Sequence, residues 1–240
     1  MHASLAKAAL LVADTVCIHY GLSPPGPPPS PTEQQRFFKP DALAGTYWLH
    51  STCVCAWRVA AGTLAIVEAA TILARHIPPR YASAILTNLP FTKGVLNLRM
   101  TSTFLAGSAL AIAGGLIRIC CHHALGKFFT WQLSVQDGHK LVTAGPYAIV
   151  RHPSYVGWAL ITLGMPLALF TPGSYFVESG LAGSRLYRSV AGAAVLYMAF
   201  LTMRLLRRVP KEDEVLSTHF GDQWRAWAKT TPYKLVPFIY

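Results

Sequence analysis

Five apolar stretches follow one another along the chain. A helix needs about 20 mostly apolar residues to cross the hydrocarbon core of a bilayer, and the stretches cover residues 3–22, 44–74, 101–121, 156–177 and 189–206. The first is the weakest, because Lys7, Asp14 and His19 interrupt it; a signal-like segment is the alternative, although it lacks a short basic start and a clear cleavage site. The pattern predicts an all-α polytopic membrane protein with about five transmembrane helices.

Charged and small residues inside these stretches predict how the helices pack. Arg58 and Glu68 lie about three helical turns apart, so their shared face is expected to point into the bundle or towards the interface. The third stretch contains small residues that let helices approach closely. These are Ala106, Gly107, Ser108, Gly114 and Gly115. In the fourth stretch, Pro166 is expected to kink the helix.

The segments between the apolar stretches differ in character. Residues 23–31, "SPPGPPPSP", predict a stiff extended linker, because proline fixes φ and lacks an N–H. Residues 75–100 mix apolar residues with basic residues and prolines, which leaves a loop and a half-inserted helix both open. Residues 207–240 are polar and amphipathic and predict two short surface helices separated at Gly221. The aromatic residues of this tail are interpreted as packing and interface anchors.

The distribution of basic residues sets the expected orientation. Lysine and arginine are more numerous on the side of the tail, which places the tail in the cytosol. With five spans, the polar loop 122–155 lies on the same side as the tail. The two polar segments are therefore expected to meet at one membrane face.

Composition excludes several functional classes. The chain has 52% hydrophobic and 13% charged residues, against about 25% charged residues in an average soluble domain. Its net charge of +11 lies beside apolar runs, as in "MRLLRRVPK" (203–211), which indicates anionic lipid head groups rather than nucleic acid. The five cysteines form no C-x-x-C pair and the histidines lack metal-site spacing, so no metal is expected. No G-x-G-x-x-G motif follows a strand and no P-loop occurs.

The segment "GPYAIVRHPSYVGW" (145–158) joins a polar, rigid corner to the fourth apolar stretch. Pro153 occupies a position where proline starts helices well, with His152 at or before the N-cap. Free backbone N–H groups and the helix dipole there favour an anion such as a carboxylate. Tyr147 and Tyr155 could flank a flat or sulfonium-bearing ligand, because aromatic faces attract cations. The alternative is that these aromatic residues only line the membrane interface.

Arg208 and Glu212 form a second candidate cluster. They are four residues apart and therefore share one helix face. The alternative is an ordinary surface ion pair, which contributes little to stability.

These motifs together resemble a known family. "HKLVTAGPYAIVRHPSYVGW" (139–158), the R-x-x-x-E pattern at Arg208 and Glu212, and "EDEVLSTHFGDQW" (212–224) are similar to the isoprenylcysteine carboxyl methyltransferases. The resemblance covers about residues 125–239, and the N-terminal half matches only in being membrane-spanning. Members are multi-pass enzymes of the endoplasmic reticulum membrane that use S-adenosylmethionine to methylate the C-terminal carboxylate of prenylated proteins.

The resemblance implies the same activity, cofactor and setting for this chain. Its partners would be farnesyl- or geranylgeranylcysteine C-termini and membrane lipids, with the tail and active site facing the cytosol. The implied organisation is a single integral membrane methyltransferase domain, residues 1–240. Residues 1–124 would supply the first three membrane helices and residues 125–240 the catalytic core, with the C-terminal cytosolic helical segment completing the cofactor site.

The resemblance also implies site residues. The positions that would line the cofactor are His139, Lys140, Leu141, Val142, Tyr147, His152, Pro153, Ser154, Tyr155 and Glu212. Arg208 would bind the substrate, and Arg208 and Glu212 are the candidate catalytic pair. A further cofactor contact falls near Gln132 or Ser134. The family usually has a glutamate where this chain has Asp213 and a tyrosine where it has Trp224, and neither change falls on the residues named above.

Three other functions remain as alternatives. The ending "TTPYKLVPFIY" (230–240) also resembles the NADPH-dependent membrane sterol reductases. A phospholipid N-methyltransferase would use the same cofactor, but its amine acceptor gives no reason for Arg208. A non-enzymatic membrane scaffold is the third alternative, and the intact residues of the two clusters argue against it.

Overall fold

The computed structural model describes residues 2–28, 30, 46–87, 95–132 and 138–240. Within these ranges the chain forms α-helices joined by turns and short 3-10 segments, and no strand is present. The helices are α1 His2–Gly21, α2 Tyr47–Ala74, α3 Pro79–Thr87, α4 Ser102–Leu125, α5 Pro153–Leu169, α6 Tyr175–Glu178, α7 Arg185–Phe220 and α8 Asp222–Thr230. Four of them, α1, α2, α4 and α7, are long and apolar enough to cross a membrane, and α5 is a shorter apolar helix. The predicted all-α polytopic fold is confirmed.

The C-terminal helices differ from the sequence-based prediction. Helix α7 continues to Phe220 and does not end near residue 206, so the first predicted surface helix is the end of a long span. Pro210 removes one backbone hydrogen bond, but the buried face formed by Met198, Leu201 and Val209 continues along the helix. The predicted separation at Gly221 is confirmed, because this glycine has a φ of 53°.

The fourth span is shorter than predicted. Helix α5 begins at Pro153, continues past Pro166 and ends at Leu169 rather than at residue 177. Gly173 lies in the following turn with a φ of 88°, a backbone conformation that a helix cannot contain. The short helix α6 then begins at Tyr175.

Two loop predictions are only partly covered by the described residues. The chain is non-helical over residues 24–28, while residues 29 and 31 of the predicted linker lie outside the described ranges. In the segment 75–100, residues 79–87 form the short helix α3, and residues 88–94 lie outside the described ranges.

A buried ion pair lies at the end of the bundle where α1 begins. Lys7 and Glu68 are paired, and each side chain is only 1% exposed. The Lys7 ammonium also donates to the carbonyls of Arg99 and Gly173, both at 2.8 Å. The Tyr175 N–H donates to Glu68 Oε2 at 2.8 Å. Glu68 therefore points into the bundle, as predicted, and the pair joins two helices to two loops.

Glycines allow α4 and α5 to pack with their backbones in close contact. A Cβ atom added at Gly114 would lie 2.5 Å from the Gly157 carbonyl oxygen and 2.9 Å from the Ile161 nitrogen. One added at Gly107 would lie 2.6 Å from the backbone nitrogen of Ala168. The predicted close approach of helices at small residues is confirmed. This packing fixes the start of α5, where the polar corner lies.

Gly114→Ala is expected to destabilise the protein by about 1–3 kcal/mol, because backbone atoms must move to admit the methyl group. Gly192→Ala is the matched control: it is also a helical glycine, but nothing lies within 4 Å of an added Cβ atom. There, alanine should be neutral or stabilising by about 0.5–1 kcal/mol. Thermal unfolding in detergent checks both variants, and equal effects at the two sites would contradict the packing argument.

Candidate active site

The polar corner and the tail line a cavity at one end of the bundle, and this cavity is partly open to solvent. Its walls come from the segment after α4, the start of α5, the second half of α7 and Trp227 of α8. The polar segments that were predicted to share a membrane face therefore meet. The predicted cofactor residues that line this cavity are His139, Lys140, Leu141, Val142, Tyr147, His152, Ser154, Tyr155 and Glu212.

The start of α5 has the predicted geometry. His152 is the N-cap residue and Pro153 is the first helical residue. The backbone N–H groups of Arg151 and His152 donate to the carbonyls of Tyr233 and Lys234, at 3.0 and 2.8 Å. The tail therefore runs beside the corner and holds it in place. Pro153 was predicted to line the cofactor. It is buried and does not line the cavity, so its contribution is to begin α5.

Glu212 presents its carboxylate to the corner from α7. The Tyr155 hydroxyl donates to Glu212 Oε2 at 2.5 Å. The same oxygen lies 3.9 Å from Arg208 Nε and 4.0 Å from His152 Nδ1. The carboxylate thus lies in the cavity wall among one hydroxyl donor and two basic side chains. The two clusters that were separate in the sequence form one site.

Asp213 is a site residue that sequence reasoning missed. Its buried carboxylate accepts from His152 Nε2 at 3.0 Å and from the Arg151 guanidinium at 3.2 Å. Arg151 also donates to the carbonyls of Thr231 and Pro232, at 3.0 and 2.9 Å. Asp213 therefore joins α7 to both the corner and the tail, although it was not among the residues predicted for the site.

A signal for Asp213 was present in the sequence. Arg151 and His152 directly precede a span, and burying such a basic pair requires an acidic partner. The chain has only ten acidic residues, and Asp213 adjoins Glu212 on α7. Adjacent residues on a helix point about 100° apart, so one can face the cavity while the other faces the corner.

Asp213→Ala is expected to lower stability by about 3–5 kcal/mol, because it leaves Arg151 buried without its carboxylate. Asp213→Glu should retain most of the stability, since it keeps the charge that both donors need. Thermal unfolding of the two variants checks this. The affinity for S-adenosylmethionine, the cofactor implied by the resemblance, is a second measurement. Equal stability of Asp213→Ala and the unmodified protein would remove Asp213 from the site.

Aromatic residues form much of the remaining wall. Trp227 donates to the Tyr147 carbonyl at 3.1 Å, and Tyr147 is buried. Burial raises the pKa of the Tyr147 hydroxyl well above its ordinary value, so it stays neutral. Phe220 also lines the cavity. The tail aromatics that were interpreted as anchors therefore contribute directly to the cavity.

His139 offers a polar atom to the cavity. Its ring stacks on Phe128 with centroids 4.8 Å apart. Burial, together with the nearby His219, lowers the pKa of His139, while Glu212 acts in the opposite direction. The imidazole is therefore neutral at physiological pH. Its Nδ1 atom is buried and has no hydrogen-bond partner among the described residues, so it can serve a ligand.

A second, mostly apolar cavity adjoins the first. Its apolar wall comes from three helices and the segment after α4: Tyr47, Val54, Phe129, Trp131, Trp158, Leu201 and Leu205. Ser154, Tyr155 and Arg208 line both cavities. Arg208 is buried at this junction and donates to the Trp131 carbonyl at 2.7 Å. A cation therefore lies where a polar space meets an apolar one.

Arg118 supports the junction from behind. It is a buried residue of α4 that donates to the Ser154 hydroxyl at 2.8 Å and to the Ser154 carbonyl at 3.2 Å. It also donates to the carbonyl of Gly21 at the end of α1. Sequence analysis did not single out Arg118, because its partners lie far away in the chain.

The two candidates for an upstream cofactor contact have different outcomes. Gln132 is buried and lines both cavities. Ser134 lies outside the described residues. Among the described residues, no group of three or more histidine, cysteine or acidic side chains could hold a metal ion.

Comparison with known proteins tests the family resemblance that the motifs predicted. Residues 107–187 match the model of the isoprenylcysteine carboxyl methyltransferase (ICMT) family. Protein-S-isoprenylcysteine O-methyltransferase B of Arabidopsis thaliana is 30% identical over 135 residues, which cover 55% of this chain and 58% of that protein. The protein-S-isoprenylcysteine O-methyltransferase of Rattus norvegicus is 32% identical over 137 residues, which cover 56% of this chain and 41% of that protein.

A weaker similarity concerns the rival class. Delta(14)-sterol reductase of Methylotuvimicrobium alcaliphilum is 26% identical over 110 residues, which cover 45% of this chain and 21% of that protein. The match thus spans less than two thirds of each of these relatives. No solved structure matches the chain. The resemblance predicted from the motifs is confirmed: part of the chain is similar to the isoprenylcysteine carboxyl methyltransferases.

Proposed function

We propose that this protein uses S-adenosylmethionine to methylate the C-terminal prenylcysteine α-carboxylate of prenylated proteins. The observation that carries the proposal is the position of Arg208, a buried cation at the junction of a polar and an apolar cavity. A lipid-linked carboxylate needs both an apolar space and a cation at its end. The relatives named protein-S-isoprenylcysteine O-methyltransferase favour the same reaction.

The residues of the polar cavity fit a methyl donor of this kind. Glu212 offers a carboxylate to the donor's amino or ribose groups, and His139 Nδ1 is a buried polar atom with no hydrogen-bond partner among the described residues. Tyr147 and Tyr155 present aromatic faces, which attract a cation such as a sulfonium. When bound, the donor supplies an electrophilic methyl group. The residues of the polar cavity would hold the donor, and Ser154, Tyr155 and Arg208 line the place where this cavity adjoins the apolar one.

The acceptor side needs positioning rather than proton transfer. A C-terminal carboxylate has a pKa of roughly 3.3–3.7 and is already ionised at neutral pH. Arg208 can bind it through two parallel hydrogen bonds and replace the water that surrounds it. The aromatic and leucine side chains of the second cavity exclude water from the attached lipid. Orientation of two reactants can contribute roughly 7–11 kcal/mol to lowering a barrier.

The proposed domain organisation follows from the same two cavities. Residues 125–240 supply the polar cavity, including the corner, α7 and α8. The apolar cavity also requires Tyr47, His50 and Val54 of α2 and Arg118 of α4. We therefore treat residues 1–240 as one integral membrane methyltransferase unit. Its polar cavity would face the cytosol at the endoplasmic reticulum membrane, where both a water-borne donor and a membrane-borne acceptor can reach it.

Ligand binding distinguishes this proposal from the sterol-reductase alternative. The purified protein in lipid nanodiscs should bind S-adenosylmethionine and show no saturable binding of NADPH, as measured by isothermal titration calorimetry. Saturable NADPH binding without S-adenosylmethionine binding would overturn the reaction class.

A further inference from the structure

Polar contacts of the Tyr197 hydroxyl join the described parts of α2 and α7 beside the apolar cavity, and Cys53 of α2 is one of its neighbours. His50 Nδ1 of α2 and the hydroxyl of Tyr197 of α7 are hydrogen-bonded at 2.6 Å. The other ring nitrogen of His50 is hydrogen-bonded to Thr46 Oγ1 at 2.7 Å, which fixes the orientation of the ring. Both His50 and Tyr197 are half-buried. The contact therefore lies at the margin of the helix bundle.

The apolar cavity lies between these two helices. Tyr47, His50 and Val54 line it from α2, and Leu201 and Leu205 line it from α7. Val54 and Leu201 are buried, whereas Tyr47 and Leu205 are partly exposed. Among the described residues, α2 and α7 do not pack extensively against each other. The cavity is therefore open at its margin, and the His50–Tyr197 hydrogen bond crosses between the two helices there.

Distances along α7 place this bond relative to Arg208. Leu201 lies seven residues before Arg208, about 10 Å along the helix axis, and Tyr197 lies eleven residues before it, about 16 Å. An extended chain advances about 1.2 Å per bond. From the carboxyl carbon, a geranylcysteine would extend about 13 Å, a farnesylcysteine about 18 Å and a geranylgeranylcysteine about 23 Å. A lipid held at Arg208 and lying along α7 thus passes Tyr197 only when it is farnesyl or longer.

We infer that the His50–Tyr197 hydrogen bond is a latch that determines which prenyl chain lengths the apolar cavity accepts. This inference rests on the proposed prenylcysteine acceptor. A geranyl chain ends before the latch and leaves it closed. A geranylgeranyl chain extends about 7 Å beyond Tyr197 and must break the hydrogen bond to pass between α2 and α7. His50 and Tyr197 are specificity-determining residues in this scheme and do not touch the reacting atoms.

Tyr197→Phe tests the latch, because it removes the hydroxyl and keeps the ring. Dissociation constants of radiolabelled S-geranyl-, S-farnesyl- and S-geranylgeranyl-N-acetylcysteine are measured on the full chain in nanodiscs. Since the longest chain no longer breaks a hydrogen bond, its affinity relative to the geranyl compound should rise about three- to tenfold. The farnesyl compound should show a smaller rise. His50→Phe removes the hydrogen-bond partner on α2. In this variant too, the relative affinity should rise most for the geranylgeranyl compound and less for the farnesyl compound.

Thr202→Val is the matched control. The Thr202 hydroxyl accepts from Trp158 Nε1 at 3.1 Å, so it joins α7 to α5 rather than to α2. This variant should leave the ratio of the three affinities unchanged. Equal shifts for all three chains in Tyr197→Phe, or no shift, would overturn the latch. Binding requires no methyl transfer, so chain-length-dependent binding without any transfer would contradict the proposed function while leaving the latch in place.

Discussion

Arg208→Ala is expected to lower kcat/KM for a farnesylcysteine acceptor by about 30- to 5000-fold. Removing one partner of a buried, hydrogen-bonded charge pair costs about 2–5 kcal/mol, and the proposed partner here is the acceptor carboxylate. The affinity for S-adenosylmethionine should fall by a smaller factor than kcat/KM for the acceptor, because Glu212 and the corner, which are proposed to bind the donor, remain. Steady-state methyl transfer, together with calorimetric donor binding, separates the two effects.

Two further variants sharpen this test. Arg208→Lys keeps the charge but loses the planar fork that binds a carboxylate through two hydrogen bonds, so it should fall between alanine and arginine. Arg207→Ala removes an adjacent but exposed arginine and should leave turnover nearly unchanged. Full turnover by Arg208→Ala, or an equal loss in Arg207→Ala, would show that Arg208 does not hold the acceptor.

Glu212→Gln is expected to weaken S-adenosylmethionine binding by about 10- to 150-fold. Hydrogen bonds to a charged group contribute about 1.5–3 kcal/mol, and the amide removes the charge while keeping the shape. The Tyr155 hydroxyl, which donates to Glu212 Oε2 at 2.5 Å, retains an acceptor in the amide oxygen. The corner should therefore stay folded, and the loss should appear in the donor dissociation constant.

Glu214→Gln provides the control for this variant. Glu214 lies two residues further along α7 with an exposed side chain, and it does not line the polar cavity. Its neutralisation changes the net charge of the protein by the same amount. Calorimetry should then give a donor affinity within about twofold of the unmodified protein, an expectation for a surface substitution. An unchanged affinity in Glu212→Gln would remove Glu212 from the donor site.

The features that could be predicted from the sequence are those that depend on residues close together in the chain. Apolar length indicated the four helices that are long enough to cross a membrane and the shorter apolar helix α5, and proline at the first helical position indicated where α5 begins. The four-residue spacing of Arg208 and Glu212 placed both on one face of α7. The number of spans and the lysine and arginine bias predicted that the loop containing Tyr155 and the tail meet, but no local pattern indicates which side chains of the two segments are in contact.

The remaining features depend on contacts between residues that are far apart in the chain. Asp213 is 61 positions from His152, and Arg118 is 97 positions from Gly21. The continuation of α7 through Pro210 depends on a buried face that local propensity does not reveal. The contribution of α2 to the apolar cavity was likewise not predicted, because Tyr47 and Val54 read simply as residues of a span.

Competition among three acceptors tests the central claim most directly. The purified protein in nanodiscs is supplied with S-adenosylmethionine carrying a radiolabelled methyl group, and with equal amounts of N-acetyl-farnesylcysteine, phosphatidylethanolamine and a sterol. We expect label on the farnesylcysteine as a base-labile methyl ester, and none on the phosphatidylethanolamine or the sterol. Label on phosphatidylethanolamine with none on farnesylcysteine would contradict it.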